Sequence, residues 1–248
     1  MKSGKVLAVI PARLGSTRFS NKAIYPLKRR PLLYYVHRDV ARSRQIDQLV
    51  IATDSREIKQ VAEAFDAEVV MTSRRHKTGS DRVAEVAAKL GGSIILNIQG
   101  DTFGLKPADL DRLVQTVRDN RQIDCATLAC RIDSDSELTD PNKVKVAVSV
   151  EGKALWFSRY PIPYLQHTPH RGKYRRYPFL RHVGVYCFRG RALTQFAGQR
   201  RSACEKAESL EQLRILENGG TIAVLNTRTV PVSVDCPQDL KKLKRLYR

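Results

Sequence analysis

Two short polar segments of this sequence directly follow apolar runs, which is where a sheet presents groups to a ligand. The first follows the run 6–10 and carries one glycine, three hydroxyl side chains and three cations, Arg13, Arg18 and Lys22. Guanidinium groups can hold a phosphate bidentately and lysine adds a compact charge, so the loop suits a polyphosphate. It lacks the endings of a P-loop and of a Gly-x-Gly-x-x-Gly fingerprint. An ordinary basic surface loop is the alternative.

The second segment, Gln99-Gly100-Asp101, follows the apolar run 94–98. A carboxylate at a strand end can hold Mg²⁺ against a triphosphate, because magnesium takes one or two carboxylates together with phosphate oxygens and water. Asp235 ends a later apolar run and is the candidate for a second carboxylate. It could instead begin the last helix, but Pro237 at the first helical position would leave the cap to the residue after Asp235.

A third polar segment runs from Ser73 to Arg82, before and into a helix-like pattern. Its hydroxyls and backbone groups can contact a base edge or a ribose. Ser80 can also serve as the cap of this helix, since serine is a favoured cap residue, and both roles can hold at once.

The elements around these segments alternate in type through the first half of the chain. Strands are predicted at 6–10, 49–52, 68–71 and 93–98, and helices at 32–41, 57–65, 80–90 and 107–117. This alternation is typical of βαβ units, so we predict an α/β fold with a mostly parallel sheet flanked by helices. The second half predicts strands at 125–130, 144–150, 182–188, 222–225 and 230–234, a loop over 165–177, and helices at 203–217 and 238–246. Without a clear linker or internal repeat, the chain reads as a single domain.

Composition narrows the class of protein. Hydrophobic residues make up 42% of the 248 positions, which allows a sizeable core. No apolar run is long enough for a membrane span, and the first strand runs into Pro11 without a signal-peptide cleavage pattern, so a cytoplasmic location is predicted. The five cysteines show no Cys-x-x-Cys, which favours free thiols over a zinc site.

The charge of the chain is strongly basic. Lys and Arg total 44 against 25 Asp and Glu, a formal net charge of +19. Such a field attracts polyanions, although a solvated basic face without a dedicated partner is the alternative. Aromatic residues, at 7%, form no stacking pattern, and no nucleic-acid-binding motif is present, which disfavours a nucleic-acid partner.

Together these segments resemble the 3-deoxy-manno-octulosonate (Kdo) cytidylyltransferases, the CMP-Kdo synthetases of bacteria and plants. The likeness spans residues 9–240 and is carried by segments 10–19, 51–54, 76–85, 97–101, 140–146, 154–159, 162–164, 181–186, 209–214 and 234–240. The first segment also resembles neighbouring sugar-acid cytidylyltransferases. Phe157-Ser158-Arg159, the His182-x-Gly184-x-Tyr186 pattern and segment 210–214 point to the Kdo branch.

The resemblance implies a Rossmann-like nucleotidyltransferase that transfers CMP from CTP to the anomeric hydroxyl of an acidic sugar, with Kdo favoured, for lipopolysaccharide synthesis. It implies Mg²⁺ as cofactor and a homodimer, with residues 1–120 mainly binding nucleotide and a smaller lobe, 121–248, mainly binding sugar and forming the dimer contact. The CTP-binding residues it implies are Arg13, Ser16, Arg18, Lys22, Thr78, Arg82 and Gln99. The implied sugar-binding residues are Arg159, His182, Tyr186, Glu211 and Gln212. Asp101, Lys22 and Arg13 are the implied catalytic residues, and Asp101 and Asp235 the implied metal ligands.

The chain departs from the family pattern at three places. Thr102-Phe103-Gly104 stands where a glutamate and a proline are expected after Asp101, Ser20-Asn21-Lys22-Ala23 replaces Pro-Gly-Lys-Pro, and Ser80 replaces a threonine. These changes bear on the shape of the metal loop and leave room for a related acidic or amino-modified sugar. A basic nucleic-acid-binding descendant with an impaired site is the alternative from another class.

Overall fold

A computed structural model describes residues 4–15, 19, 21–167, 172–234 and 237–247 of the chain. The predictions for Ser16, Arg18 and Asp235 fall outside these ranges and stay predictions. Among the described residues, no helix is both long and apolar enough to cross a bilayer.

The first half of the chain alternates strands and helices as predicted. Its strands are β1 (Val6–Ala12), β2 (Pro26–Leu27), β3 (Arg30–Pro31), β4 (Gln48–Thr53), β5 (Glu68–Met71), β6 (Ile94–Ile98) and β7 (Thr102–Phe103). Its helices are α1 (Leu32–Val40), α2 (Arg56–Glu63), α3 (Gly79–Leu90) and α4 (Pro107–Asp119), with a 3-10 turn at Lys22–Ile24. The predicted bounds of the four main strands and four helices differ from these by no more than two residues.

The second half adds shorter elements. Its strands are β8 (Cys125–Arg131), β9 (Lys145–Val148), β10 (Ala154–Ser158), β11 (Leu180–Arg189), β12 (Ile222–Asn226) and β13 (Val232–Ser233). Its helices are α5 (Asp135–Thr139), α6 (Lys173–Arg176), α7 (Gly190–Gly198), α8 (Ala203–Glu208), α9 (Leu213–Glu217) and α10 (Leu240–Leu246), with a 3-10 turn at Pro237–Asp239.

Within the part of the chain that the structure describes, nine strands form one continuous sheet. The order β10-β9-β11-β6-β1-β4-β5 forms its main path, β8 also pairs with β11, and β12 pairs with β8. β6, β1, β4 and β5 are mutually parallel, whereas β11 is antiparallel to β6, β8 and β9. Every residue of β1 and β6 is buried, as expected for central strands covered by helices on both faces. The carboxyl ends of these two strands therefore meet at one edge of the sheet.

The helix predicted over 203–217 is wrong as a single element. Ser209 adopts a left-handed conformation (φ 52°) and ends α8, and α9 begins only at Leu213. The apolar spacing of Leu210 and Leu213 continues across the interruption, so periodicity could not reveal it. The break sets Glu211 and Gln212 in a connection between two helices.

Other corrections are smaller. The predicted loop over 165–177 contains the short helix α6, and the strand predicted over 230–234 pairs only at Val232–Ser233. β10 and α7 were not predicted. The four described cysteines are free thiols, as expected, and Cys236 lies outside the described residues.

Candidate active site

A first cavity of about 400 Å³ opens at the carboxyl ends of β1 and β6. Its wall includes Pro11, Ala12, Arg13, Gly15, Lys22, Ala23, His76, Lys77, Thr78, Gly79, Arg82, Gln99, Gly100, Asp101 and Glu211. The three polar segments that the sequence singled out thus converge on one space. The cations Arg13, Lys22 and Lys77 make this wall suited to a polyanion.

Lys22 and Asp101 form the central ion pair of this cavity. Lys22 Nζ lies 2.6 Å from Asp101 Oδ2 and donates a second hydrogen bond, of 2.7 Å, to the carbonyl oxygen of Val234. The Asp101 side chain remains 35% exposed, so a ligand in the cavity can reach it. Lys22 therefore ties the end of β6 to the segment that leads into Asp235.

Two glycines allow separate segments of the chain to pack closely at the wall of the first cavity. A Cβ atom at Gly79 would lie 3.3 Å from Pro11 Cγ and 3.4 Å from Gln99 Oε1, and one at Gly100 would lie 3.1 Å from the Pro11 carbonyl oxygen. Larger residues would push the Gln99 side chain or the β1 end away from the cavity. These glycines therefore allow the start of α3 and the segment after β6 to pack closely against the end of β1.

Thr78, rather than Ser80, caps α3. The Thr78 hydroxyl accepts from the Asp81 backbone N–H at 3.1 Å, and the Asp81 carboxylate accepts from the Thr78 N–H at 3.2 Å. This reciprocal pair satisfies two backbone donors of the first turn. Ser80 is instead buried and accepts a 3.1 Å hydrogen bond from Asn97 Nδ2.

Arg82 is buried and already paired. Its guanidinium lies 3.2 Å from Asp54 Oδ2 and hydrogen-bonds the Thr72 hydroxyl, so its charge is neutralised within the protein. We therefore assign Arg82 to the cavity wall as a tie between α3 and the ends of β4 and β5. Asp54 belongs to segment 51–54, which carries part of the family resemblance. The spacing of residues in the sequence did not predict its ion pair with Arg82.

A second cavity of about 450 Å³ adjoins the first. Its wall includes Ser80, Gln99, Asp101, Asn142, Val144, Arg159, His182, Gly184, Tyr186, Phe188, Phe196, Ser209, Leu210, Glu211, Gln212 and Ile215. All five residues predicted to bind sugar line it, and Gln99, Asp101 and Glu211 line both cavities. The two cavities therefore meet at these three residues.

His182 contributes an uncharged ring to the second cavity. The Thr127 hydroxyl donates to the Val185 carbonyl oxygen at 2.7 Å, so the 3.0 Å contact between His182 Nε2 and Thr127 Oγ1 is a hydrogen bond donated by the imidazole. Nδ1 is then an acceptor. Burial lowers the pKa of His182 to about 3, which keeps the ring neutral at physiological pH.

Burial also raises the pKa of two acidic groups in the wall of the second cavity. Burial raises the pKa of Tyr186 well above its ordinary value. Burial likewise raises the pKa of Glu211, although the Ser80 hydroxyl partly offsets this by hydrogen bonding. Gln212 is 5% exposed and adds an amide donor and acceptor. Uncharged donors and acceptors such as the His182 ring and the Gln212 amide suit the hydroxyl groups of a sugar.

Arg159 is the cation of the second cavity, and backbone carbonyls hold it in place. Its Nε donates to Glu208 O at 2.7 Å, one terminal nitrogen to Pro141 O at 2.9 Å and the other to Ser209 O at 3.3 Å. These partners are carbonyl dipoles, and no ion pair of the guanidinium with a carboxylate is found among the described residues. Its positive charge is therefore available to a ligand. It can attract the carboxylate of an acidic ligand.

Two wall residues and one supporting residue were not named as candidates from the sequence. Lys77 lies in the first cavity, Asn142 in the second, and Asn97 supports Ser80 from β6. Asn97 Oδ1 is buried without a hydrogen-bond partner among the described residues. Asn97 could have been noticed as the polar residue inside the otherwise apolar run 94–98. Burying a polar side chain costs free energy unless it forms hydrogen bonds.

We expect Gln212→Ala and His182→Ala to raise the KM for the sugar about tenfold or more while changing the KM for the nucleotide less than twofold, since a hydrogen-bonding pocket loses affinity when one partner is removed. Both side chains line only the second cavity. Initial rates at varied sugar and varied nucleotide separate the two constants. Wild-type constants for the sugar in both variants would show that the pocket is placed wrongly.

Comparisons with known proteins agree with the fold. The cytidylyltransferase family model matches residues 7–223, most of the chain, and this defines the class of protein. The 3-deoxy-manno-octulosonate cytidylyltransferase of Geobacter sulfurreducens is 40% identical over 243 residues, 96% of this chain and 97% of the relative. The protein of the same name from Francisella tularensis subsp. novicida is 38% identical, with 96% and 97% covered.

Solved structures agree. A CMP:2-keto-3-deoxy-manno-octonic acid synthetase complexed with CTP superposes with a TM-score of 0.90 at 34% identity, covering 98% of both chains. A cytidylyltransferase from Leptospira borgpetersenii, at 15% identity and a TM-score of 0.64, covers 97% of this chain and 85% of its own and shares the fold. The chain belongs to the 3-deoxy-manno-octulosonate cytidylyltransferase family.

Proposed function

We propose that the chain transfers CMP from CTP to the anomeric hydroxyl of 3-deoxy-D-manno-octulosonate, giving CMP-Kdo and pyrophosphate for lipopolysaccharide synthesis. The observation that carries this proposal is the set of shared wall residues, Gln99, Asp101 and Glu211, between a cationic cavity and a cavity that combines hydrogen-bonding side chains with the cation of Arg159. A triphosphate in the first and an acidic sugar in the second would meet there. The names of the relatives support CTP and Kdo as the two substrates.

The chemistry is a single displacement at the α-phosphorus. The anomeric oxygen forms a bond to phosphorus, the bond between the α-phosphorus and the oxygen bridging to the β-phosphate breaks, and the hydroxyl proton is released. Lys22, Arg13 and Lys77 would neutralise the phosphates and the leaving pyrophosphate. This chain then contributes positioning and electrostatic stabilisation, with no covalent intermediate. Ser16 and Arg18 are proposed to bind the phosphates beside these cations. Thr78, Arg82 and Gln99 are proposed to surround the nucleoside.

Asp101 is proposed as a ligand of Mg²⁺, with Asp235 as its second carboxylate. Within the described ranges, no group of three or more His, Cys, Asp or Glu side chains could hold a metal. One accessible carboxylate at the end of β6 fits magnesium, which usually takes its remaining ligands from phosphate and water. When bound, Mg²⁺ would supply charge neutralisation at the phosphates.

The remaining proposals concern organisation. We propose that residues 1–120 mainly bind nucleotide, and that 121–248 mainly bind sugar and form a homodimer contact. Leu155, Tyr160 and Tyr164 are 61%, 72% and 76% exposed on and after the edge strand β10, and burial against a second copy would remove this apolar surface from water. The free thiols support a reducing, cytoplasmic location.

A matrix of nucleotides and sugars tests the proposed function. We expect pyrophosphate release with CTP and Kdo, and at least about a hundredfold lower kcat/KM with UTP, ATP or GTP, because a site that hydrogen-bonds a base rejects one with other donors and acceptors. Equal turnover of all four nucleotides would overturn the assignment of the base pocket. Faster turnover of another acidic or an amino-modified sugar would correct the acceptor. Salt-sensitive RNA binding without pyrophosphate release would favour the nucleic-acid-binding alternative.

A further inference from the structure

The loop that follows Asp101 is held from outside the cavities by the end of the chain. Gly104 donates its backbone N–H to the Tyr247 hydroxyl at 3.0 Å and, more weakly, to Asp39 Oδ2 at 3.3 Å. The Tyr247 hydroxyl in turn donates to Asp39 Oδ2 at 2.5 Å. We name these three residues, Asp39, Gly104 and Tyr247, the C-terminal clasp.

Packing fixes the Tyr247 ring in this position. The ring stacks on Tyr35 with centroids 4.6 Å apart and an interplanar angle of 28°, and the Arg38 guanidinium lies 4.8 Å from its centroid. Leu246 covers Gly104 so closely that a Cβ there would lie 2.9 Å from Leu246 Cδ2. Gly104 also has φ 76°, a left-handed conformation that favours glycine. The clasp is thus a packed contact between α1, α10 and the loop.

Only three residue steps separate the clasp from Asp101. Thr102 and Phe103 between them are both buried and pair with Ser233 and Val232 of β13. The Thr102 N–H also closes a turn onto Gln99 O at 3.1 Å. A shift at Gly104 would therefore pass through a short, rigid strand to the Asp101 carboxylate and to the segment that leads into Asp235.

We propose that Tyr247 is a positioning residue for the metal-binding loop, acting through Gly104. This chain has Thr102 and Phe103 where a glutamate and a proline were expected, so the loop lacks the restraint that a proline ring would impose. The clasp supplies that restraint by hydrogen bonding and packing. Tyr247 touches neither cavity wall, which separates it from the catalytic residues. The inference rests on the proposed magnesium role of Asp101.

The test compares Tyr247→Phe with wild type and with Tyr34→Phe. The first variant keeps the stacked ring and removes only the hydroxyl. Tyr34 lies on the same helix as Asp39 and packs on Tyr35 and Phe65, but its hydroxyl makes no hydrogen bond found among the described residues, so it is a matched control. Hydrogen exchange over residues 101–105 and calorimetric titration of Mg²⁺ in the presence of CTP are the readouts.

In Tyr247→Phe we expect amide exchange over 101–105 to accelerate and the Mg²⁺ concentration for half-saturation to rise about tenfold, as for other groups that orient a metal ligand. The KM for the sugar should change less than twofold, and the melting temperature should fall by no more than about 4 °C. Asp39→Asn, which weakens the same acceptor, should shift both readouts in the same direction. Tyr34→Phe should match wild type.

Wild-type exchange or wild-type Mg²⁺ affinity in both Tyr247→Phe and Asp39→Asn would overturn the proposal. So would equal losses for Mg²⁺ and sugar, because they would indicate general destabilisation. Neither readout requires turnover, so wild-type protein that binds Mg²⁺ and CTP without transferring CMP would overturn the proposed function and leave the clasp supported. Wild-type protein that does not bind Mg²⁺ with CTP would overturn both.

Discussion

Asp101→Asn is expected to lower turnover by on the order of a hundredfold or more while leaving the protein folded. The amide keeps the shape of the carboxylate but removes the charge that would hold Mg²⁺ and that now pairs with Lys22 at 2.6 Å. Because that ion pair is partly exposed, its loss should cost little stability. The residual activity should need a higher Mg²⁺ concentration, which initial rates across a magnesium titration will measure.

Asp119→Asn is the matched control for Asp101→Asn, because it removes the same charge from an exposed position at the end of α4 that is part of neither cavity wall. It should retain wild-type rates and wild-type magnesium dependence. Asp235→Asn should behave like Asp101→Asn if the two carboxylates share one ion. Unaltered turnover and unaltered magnesium dependence in both site variants would contradict the metal site and the mechanism built on it.

Lys22→Met is expected to lower kcat/KM for CTP by on the order of a hundredfold, since Lys22 lines the cavity that would receive the phosphates and pairs there with Asp101. Lys22→Arg should recover only part of this, because a planar guanidinium does not reproduce a compact ammonium. Steady-state kinetics with varied CTP at saturating sugar provide the measurement.

Lys28→Met is the control for Lys22→Met, since Lys28 is an exposed lysine in the turn between β2 and β3, and it should leave kcat/KM unchanged. If Lys28→Met lowered kcat/KM as much as Lys22→Met does, the loss would reflect the overall positive charge of the chain rather than a specific contact of Lys22. A KM for the sugar that rose as much as the KM for CTP would likewise contradict the assignment of Lys22 to the phosphates.

The parts of the site that could be predicted lie in segments that follow the carboxyl ends of strands. Parallel strands bring their carboxyl ends to one edge, so Lys22 and Asp101 could be expected to lie close although 79 positions separate them. The neutral state of His182 could not be predicted, because it depends on the burial of β11 and on the partner Thr127.

Contacts made by loops and chain ends were also beyond prediction. Glu211 and Gln212 sit where a continuous apolar pattern predicted an unbroken helix, and only the left-handed Ser209 interrupts it. The clasp joins Gly104 to a residue 143 positions later through a backbone N–H, which has no side-chain signature in the sequence. Such contacts depend on tertiary packing rather than on local spacing.

The central claim is that the anomeric oxygen of Kdo becomes bonded to the α-phosphorus of CTP. The direct measurement uses Kdo carrying ¹⁸O at the anomeric hydroxyl, CTP and Mg²⁺, with mass spectrometry and ³¹P NMR of the products. We predict that CMP-Kdo retains the label in the oxygen bridging sugar and phosphorus, and that unlabelled pyrophosphate forms in equal amount. Pyrophosphate released together with CMP and no CMP-Kdo, or labelled pyrophosphate, would contradict the claim.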